Sequence, residues 1–328
     1  MKIVMPGGSG QVGQILGRSF LARGHDVVVL SRDARSVGRV VPWDGRTLGA
    51  WVSEIDGADV VVNLAGRTVN CRYTNENLAQ MMSSRVDSTR VVGEAIEKAA
   101  RPPKTWLQMS TATIYAHRFD APNDEASGVI GGDEPGVPAY WGFSVNIAKR
   151  WEATLAAAAT PRTRKVALRS AMVMSPDREG IFDVMSTLVK RGLGGTAGSG
   201  KQFVSWIHDG DFVRAIDLLI AREDLEGALN LAAPTPLPYS DFMRAMRRAW
   251  GTPVGLPAMK WMLEVGAFFM RTDTELVLKS RRVIPGRLLG AGFAFDQPEW
   301  PAAARDLVRR WRGQGGASAQ APRRSRAP

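Results

Sequence analysis

The sequence predicts an α/β fold with a doubly wound parallel sheet, followed by a smaller, mostly helical C-terminal part. Three observations support this prediction. A short apolar run at residues 2–5 ends in a glycine-rich turn, and a helical pattern follows it. A continuous apolar run at 25–30 is typical of a parallel strand buried on both faces. Apolar runs and helical patterns then alternate to about residue 170, which indicates helices on both sides of the sheet.

The first elements form a strand, a helix and a second strand. Residues 2–5 predict the first strand, and the turn Pro6-Gly7-Gly8 ends it. From residue 11 to 23 the apolar side chains recur at helical spacing, at Val12, Ile15, Leu16, Phe20 and Leu21. The run 25–30 predicts the second strand. This βαβ unit is the opening of a Rossmann-type domain.

Later elements continue the alternation and then depart from it. Strands are predicted at 59–64, 105–110 and 165–170, and helices at about 75–99 and 143–157. Glycine-rich turns follow residue 170, then an apolar run at 203–207 and helical patterns at about 212–221, 239–250, 257–270 and 300–311. We therefore predict a Rossmann domain over 1–175 with a return segment near 200–232. We expect residues 176–312 to form mainly a substrate cleft and a helical module, and 313–328 to form a disordered basic tail.

Composition narrows the class of protein. Of the 328 residues, 45% are hydrophobic, which excludes a chain that is disordered over most of its length. Cys71 is the single cysteine, so a disulfide framework and a multi-cysteine zinc site are excluded. The amino terminus reaches glycine too soon for a signal peptide, and no apolar run is long enough to span a membrane. We expect a soluble cytoplasmic protein with no metal and no membrane partner.

The positive charge does not indicate nucleic-acid binding. The chain has 43 Lys and Arg against 32 Asp and Glu, a formal charge of +11. Three of these charges, Arg323, Arg324 and Arg326, lie in the predicted tail. The remaining +8 is spread out, and groups such as Arg281 and Arg282 alternate with apolar residues as on solvated helix faces. No nucleic-acid-binding motif accompanies them. We expect a small-molecule substrate, and a monomer or a homodimer.

Glycines between the first strand and the first helix indicate a nucleotide site. Gly7, Gly10 and Gly13 have the spacing Gly-x-x-Gly-x-x-Gly. Without Cβ atoms the turn brings backbone amides, including those of Gln11 and Val12, close to a diphosphate at the positive end of the helix. The alternative is an ordinary glycine-rich turn, but the surrounding βαβ unit favours nucleotide binding.

The end of the second strand indicates which nucleotide binds. An NAD site usually has Asp or Glu here, whereas this chain has Ser31-Arg32-Asp33. An arginine favours the 2′-phosphate of NADP. If Asp33 faces the ribose instead of Arg32, the preference for NADP shrinks or reverses, so NADP is predicted with NAD as an alternative.

Motifs after the third and fourth of the longer strands resemble a known superfamily. Asn63-Leu64-Ala65-Gly66 and Ser110-Thr111-Ala112-Thr113-Ile114-Tyr115 resemble the extended short-chain dehydrogenases/reductases. Further motifs resemble the atypical YfcH-like epimerase family: Trp43-Asp44, Ser84-Arg85, Lys149-Arg150-Trp151-Glu152, Gly198-Ser199-Gly200-Lys201-Gln202, Ser205-Trp206-Ile207-His208 and the stretch 280–293. The resemblance covers residues 1 to about 311, and the part from about 260 to 310 resembles that family's C-terminal module of unknown function.

The resemblance implies an NADP-dependent oxidoreductase or epimerase that acts on a polar carbonyl or hydroxyl compound, with a nucleotide sugar as one option. Typical members use Tyr-x-x-x-Lys, in which the lysine lowers the tyrosine pKa for proton transfer. By resemblance, Phe143 and Ile147 occupy these positions here. Neither side chain can move a proton, so the usual dyad is missing.

Several residues are candidates for the remaining roles. Thr111 matches the Ser or Thr that bonds the substrate oxygen, although its hydroxyl could instead satisfy only a backbone group. Tyr140, Tyr115 and His117 are candidate proton donors, each with packing or surface exposure as the alternative. The predicted cofactor contacts also include Asn63, Leu64, Ala65, Gly66, Arg85 and Ser110, and the predicted substrate contacts are Thr113, Phe143 and His208.

The missing dyad keeps other functions open. One alternative is a catalytically silent protein that binds NADP(H) and acts as a sensor or regulator. Another is a dehydratase or epimerase that returns its hydride, which would give product without net change of cofactor.

Overall fold

The computed structural model describes residues 1–33, 36–69, 71–138, 140–257 and 275–319. Its centre is a seven-stranded sheet in the order β10-β6-β5-β4-β1-β2-β3, with every neighbouring pair parallel. The strands are β1 Lys2–Pro6, β2 Asp26–Ser31, β3 Arg39–Pro42, β4 Val60–Asn63, β5 Thr105–Thr111, β6 Arg164–Ser170 and β10 Gly227–Leu231. The parallel, doubly wound sheet predicted from the sequence is therefore confirmed.

Helices cover both faces of this sheet. Helix α1 (Gln11–Ala22) and helix α6 (Asp209–Ala221) pack on one face, where Ile3 and Met5 of β1 point. Helix α3 (Asn75–Lys98) and helix α4 (Trp141–Ala157) pack on the other face, against Val4. Because successive strand residues alternate between faces, an apolar run such as that of β1 fills both cores. The short helix α2 is Val52–Ile55.

A second core lies in the C-terminal part. The elements of this part of the chain are strand β7 Met172–Met174, helix α5 Ile181–Lys190, β8 Phe203–Val204, β9 Trp206–His208, β11 Leu237–Pro238, α7 Tyr239–Trp250, α8 Glu275–Leu278, α9 Gly286–Gly290 and α10 Trp300–Ala319. Leu288 of α9 packs with the first core instead. Strand β7 pairs with β9, and β8 pairs with β11. Phe242 stacks on Trp300 with ring centroids 4.0 Å apart, and the Met side chains of α7 pack around this pair. Met243 and Met246 of α7 are both buried.

Some elements differ from the sequence prediction. Strands β3 and β10 were not predicted as strands, and β10 completes the sheet beside β6. Helix α10 continues to Ala319, so residues 313–319, predicted as disordered tail, are helical. The predicted helix at 257–270 lies almost wholly outside the described residues, as does the tail beyond 319. The division into domains remains a prediction.

Two other features are absent from the described part of the chain. None of its helices is long and apolar enough to cross a membrane. No group of three His, Cys, Asp or Glu side chains among the described residues could hold a metal ion.

Candidate functional site

Close approaches of the backbone explain the glycines after β1. Gly7 has φ of +72°, and a Cβ there would lie 2.5 Å from the Cα of Ala65 at the end of β4. A Cβ on Gly13 would lie 2.1 Å from the carbonyl oxygen of Gly8. Neither position accepts a side chain without a backbone shift. The turn is therefore folded tightly against the neighbouring strand end.

The amino end of α1 offers free space and donors. Gly10 is its N-cap residue, and no side chain caps the helix. A Cβ on Gly10 would meet only the carbonyl oxygen of Gly7, at 3.9 Å. Gln11 has its Nε2 buried without a hydrogen-bond partner in the described structure. The first-turn amides and this side chain together suit an anionic group. Val12 packs against the apolar core between the sheet and helices α1 and α6.

Ser31 joins the end of β2 to the glycine turn. Its hydroxyl donates to Ser9 Oγ at 2.9 Å and accepts from the backbone N–H of Asp33 at 3.0 Å. Ser31 is buried, whereas Arg32 and Asp33 are exposed. The structure thus places Ser31 under the turn and Arg32 at the surface beside it.

Arg32 lines a cleft of about 460 Å³ beyond the end of β3. Trp43 and Trp51 form its apolar wall, with their rings in edge-to-face contact at 5.7 Å. Asp44 accepts hydrogen bonds from the hydroxyl and backbone of Thr47, which lower its pKa to about 2. The Asp44 carboxylate therefore stabilises the turn at residues 44–47. The cleft combines flat apolar surface with a guanidinium, which suits an aromatic ring carrying an anionic group.

The loop after β4 is fixed by buried polar contacts. Asn63 Nδ2 donates to Gln108 Oε1 at 2.9 Å, and Asn63 Oδ1 accepts from the backbone N–H of Ala65 at 3.1 Å. These bonds hold Leu64, Ala65 and Gly66 close to the glycine turn. Leu64 packs against the core, whereas Gly66 is exposed.

Arg85 of α3 stabilises the same loop. Its guanidinium donates to the carbonyl oxygens of Arg67 at 3.0 Å and Met81 at 2.9 Å and lies 5.0 Å from the Trp151 ring. Burial lowers its pKa to about 10. A Cβ on Gly66 would lie 3.2 Å from the guanidinium carbon. Among the described residues no carboxylate forms an ion pair with Arg85, so it brings an uncompensated positive charge beside the loop.

Thr111 ends β5 and begins a short 3-10 turn, Ala112–Ile114. Its Oγ1 accepts the backbone N–H of Thr113 at 3.1 Å. Ser110 is turned elsewhere, because its hydroxyl donates to Glu152 at 2.6 Å. Glu152 is paired with Arg169 on β6 at 2.8 Å. Ser110 thus takes part in an internal network, while Thr111 and Thr113 remain half-buried at the strand end.

Tyr115 is placed differently from what its candidacy as a proton donor requires. It is 2% exposed, and its hydroxyl donates to Asn230 Oδ1 and accepts from Arg169 Nη1, both at 2.9 Å. Burial raises its pKa. With both functions of the hydroxyl engaged between β6 and β10, the geometry favours the packing role for Tyr115.

The other proton-donor candidates lie nearer the surface. Tyr140 is the N-cap residue of α4 and is 39% exposed. His117 is half-buried, and its Nδ1 accepts the backbone N–H of Ser280 at 2.8 Å. Burial lowers the pKa of this imidazole, so the neutral ring carries its proton on Nε2. Phe143 is partly buried and Ile147 is buried, so no titratable group stands at the dyad positions.

His208, predicted to contact substrate, lies in a contact between α6 and α10. It is 6% exposed, its Nδ1 accepts the backbone N–H of Gly210 at 3.1 Å, and its Nε2 lies 3.1 Å from Asp306 Oδ2. Arg310 of α10 pairs with the adjacent Asp209 at 2.6 Å. These contacts assign His208 to holding α10 in place rather than to an open cleft.

Sequence reasoning missed a polar cluster that the C-terminal segment brings to Thr113. Lys279 is 2% exposed, and its Nζ donates to the carbonyl oxygen of Thr113 at 3.1 Å. Arg281 Nε donates to Thr113 Oγ1 at 3.1 Å. Glu275 accepts a bond from Ser144 of α4 at 2.6 Å. Residues 280–285 carried a family signature, but nothing in the sequence indicated which side chains reach the strand end.

Comparisons with known proteins show which family the chain is similar to. Residues 3–232 match the NAD dependent epimerase/dehydratase family, and residues 260–307 match the domain of unknown function DUF1731. The human epimerase family protein SDR39U1 is 33% identical over 94% of this chain and all of its own length. The Bacillus subtilis epimerase family protein YfhF is 29% identical, covering 94% of this chain and 98% of its own.

A solved structure is similar over nearly the whole chain. The crystal structure of human SDR39U1 (isoform 2) with NADPH has a TM-score of 0.82 and 29% sequence identity, and covers 94% of this chain and 99% of that one. The resemblance drawn from the sequence, to an epimerase family with a C-terminal domain of unknown function, is confirmed. The chain therefore belongs to the NAD dependent epimerase/dehydratase family.

Proposed function

We propose that this protein binds NADP(H) and is an oxidoreductase or epimerase for a polar carbonyl or hydroxyl substrate. The uncapped amino end of α1, with open space at Gly10, is the observation that carries the proposal. The nucleotide's diphosphate would lie against the amides of Gln11, Val12 and Gly13. The crystal structure of human SDR39U1 with NADPH supports the same cofactor.

Arg32 supports NADP over NAD. It is exposed beside the cleft formed with Trp43 and Trp51, where an adenine ring and a 2′-phosphate would both find partners. Asp33 is exposed as well, and its backbone N–H bonds Ser31. NAD is the weaker alternative.

When bound, NADP(H) supplies or accepts a hydride. This chain must bind the substrate oxygen and transfer the proton. Thr111 is the proposed contact for the substrate oxygen, since its hydroxyl proton is not needed for the bond from Thr113. Phe143 and Thr113 would line the same end of β5. The proposed proton donor is Tyr140 or His117, because the hydroxyl of Tyr115 is fully engaged. Cytoplasmic location and a monomer or homodimer complete the proposal.

A silent NADP(H)-binding sensor is the second candidate function. Phe143 and Ile147 at the dyad positions favour it, because neither can exchange a proton. The sensor shares the cofactor site with the enzyme and differs only in turnover.

The test begins with the purified, folded protein. Nucleotide released on denaturation is identified by mass spectrometry, and calorimetric titrations with NADPH and NADH follow. Absorbance of NADPH is then monitored against a panel of carbonyl compounds and nucleotide sugars, with product analysis of each mixture. Product, with or without cofactor oxidation, supports the enzyme. Binding without any product supports the sensor, and folded protein that binds neither dinucleotide overturns both.

A further inference from the structure

Thr113 connects Thr111 to two cationic side chains of the C-terminal segment. Its backbone N–H bonds Thr111 Oγ1, its carbonyl oxygen accepts from Lys279 Nζ, and its Oγ1 accepts from Arg281 Nε, each at 3.1 Å. All three hydrogen-bonding groups of Thr113 are therefore used. The two cations therefore contact the same turn that carries the proposed substrate contact.

The carboxylates of this cluster are engaged away from Thr113. Glu275 Oε1 lies 3.7 Å from Lys279 Nζ, an ion-pair distance but too long for a hydrogen bond, while its Oε2 accepts from Ser144. Glu134 accepts the backbone N–H groups of His117 and Gly132 at 2.7 Å. His117 also faces Lys279 and Arg281, and burial keeps its ring neutral near pH 7. Among the residues that the structure describes, the charged groups that bond Thr113 are Lys279 and Arg281, and both are positive.

Burial makes these charges effective at the strand end. Lys279 is 2% exposed, whereas Thr111 and Thr113 are half-buried at the end of β5. Solvent and salt screen a buried charge much less than an exposed one. A negative oxygen placed against Thr111 would therefore experience the field of Lys279, reduced by that of the Glu275 carboxylate, whose Oε1 lies 3.7 Å from Lys279 Nζ.

We propose that the turn Thr111–Thr113 is an oxyanion subsite, with Lys279 and Arg281 as positioning residues that supply its positive potential. Its ligand is a substrate oxygen that carries or develops negative charge, such as a polarised carbonyl or a carboxylate. The C-terminal segment thereby brings positive charge to the strand end, which α4 does not supply because it lacks the lysine of the dyad. The chemical use of this subsite rests on the proposed function, but its existence is tested by binding alone.

The probe is oxalate, a small dianion, titrated by calorimetry into the full-length protein. Prior saturation with NADP⁺ keeps oxalate from the amides of α1, and the NADP⁺ titration reports the cofactor site separately. We expect oxalate to bind the wild type with a Kd no weaker than tens of millimolar. Lys279→Met is expected to weaken oxalate about tenfold or more, from the loss of one nearby charge at an effective dielectric of about 20.

Lys279→Arg and Lys98→Met are the controls. The arginine keeps the charge and should keep the oxalate affinity within about threefold of the wild type. Lys98 is exposed at the end of α3, and its loss should change nothing. Between about pH 7 and pH 9 the wild type should lose oxalate affinity as the Lys279 ammonium deprotonates, whereas Lys279→Arg should not. If Lys279→Met does not fold, this pH comparison of wild type and Lys279→Arg still tests whether Lys279 contributes to oxalate binding.

Failure to bind oxalate, or an unchanged affinity in Lys279→Met together with matching pH profiles, would overturn the subsite. If NADP⁺ does not bind, the proposed function fails instead, and oxalate binding to Lys279→Arg and the wild type can still be compared at both pH values.

Discussion

The Oγ1 of Thr111 accepts the backbone N–H of Thr113 at 3.1 Å. A hydroxyl has one proton to donate and two lone pairs to accept, so this bond leaves the proton of Thr111 available. The two roles considered for Thr111, satisfying a backbone group and binding a substrate oxygen, are therefore compatible. The accepted bond fixes where the hydroxyl stands, and the donated bond would be directed at the ligand.

Arg32→Ala should weaken NADPH binding about ten- to a hundredfold and NADH binding much less. The reason is the loss of charge-assisted hydrogen bonds to the 2′-phosphate, worth about 1.5–3 kcal/mol. Calorimetric titration of both dinucleotides measures the difference. Arg90→Ala, in an exposed pair with Glu94 on α3, is the matched control and should bind both as the wild type does. Equal losses for the two dinucleotides would remove the assignment of Arg32.

Gly7→Ala should abolish detectable NADPH binding and destabilise the fold. Its φ of +72° is unfavourable for alanine, and the added Cβ would approach the backbone of Ala65 to 2.5 Å. We expect a loss of at least about 1–3 kcal/mol in the free energy of unfolding. Urea unfolding measures it, with Gly24→Ala as the comparison, because Gly24 has φ of +76° but no heavy atom within 4 Å of its Cβ position. Equal losses in the two variants would show that the contact with Ala65 is unimportant.

Tyr115→Phe should destabilise the protein by about 1–3 kcal/mol and leave NADPH affinity unchanged. Removal of the hydroxyl leaves Arg169 Nη1 and Asn230 Oδ1 each short of a buried partner. Urea unfolding followed by tryptophan fluorescence measures the change. Tyr140→Phe, at the exposed start of α4, should alter stability by less than about 0.5 kcal/mol. A Tyr115→Phe protein with normal stability but no turnover would restore Tyr115 as a proton donor.

Stability should rise with pH through the titration of Lys279. Burial lowers its pKa from 10.5 to about 8, so above about pH 8 the unfolded chain binds a proton that the folded protein has released. The contribution of Lys279 to the free energy of unfolding is therefore lowest below pH 8. It increases up to about pH 10.5, by at most about 3 kcal/mol. Urea unfolding of wild type and Lys279→Met at about pH 7.5 and pH 9.5 measures it. The wild type should gain relative to the variant, and parallel behaviour would contradict the lowered pKa.

The nucleotide-binding half was predictable because its signals are local in sequence. The tight turn needs the glycines at 7 and 13, Gly10 leaves the start of α1 open, and the apolar runs of β1 and β2 indicate strands buried on both faces. The same regularity located Thr111 at the end of β5. Strand β3 was missed, because its sequence, Arg-Val-Val-Pro, is short and its burial is only partial.

The other half of the site depends on contacts between distant parts of the chain. Lys279 reaches Thr113 over 166 positions, and no periodicity or spacing reports such a contact. The surroundings of His208 were unpredictable for the same reason, because its neighbours Asp306 and Arg310 come from the last helix. Tyr115 was ambiguous in sequence because a tyrosine after a strand can face either a cleft or the interior, and only its partners on β6 and β10 decide.

The position of β10 has a consequence for biosynthesis. This edge strand, Gly227–Leu231, lies beside β6 but is encoded more than fifty positions after it, with α5 and α6 between them. A nascent chain released at residue 175 would present the unpaired rim of β6, a template for intermolecular pairing. Fragments ending there should accumulate as aggregates, whereas fragments that extend past residue 231 should remain dispersed.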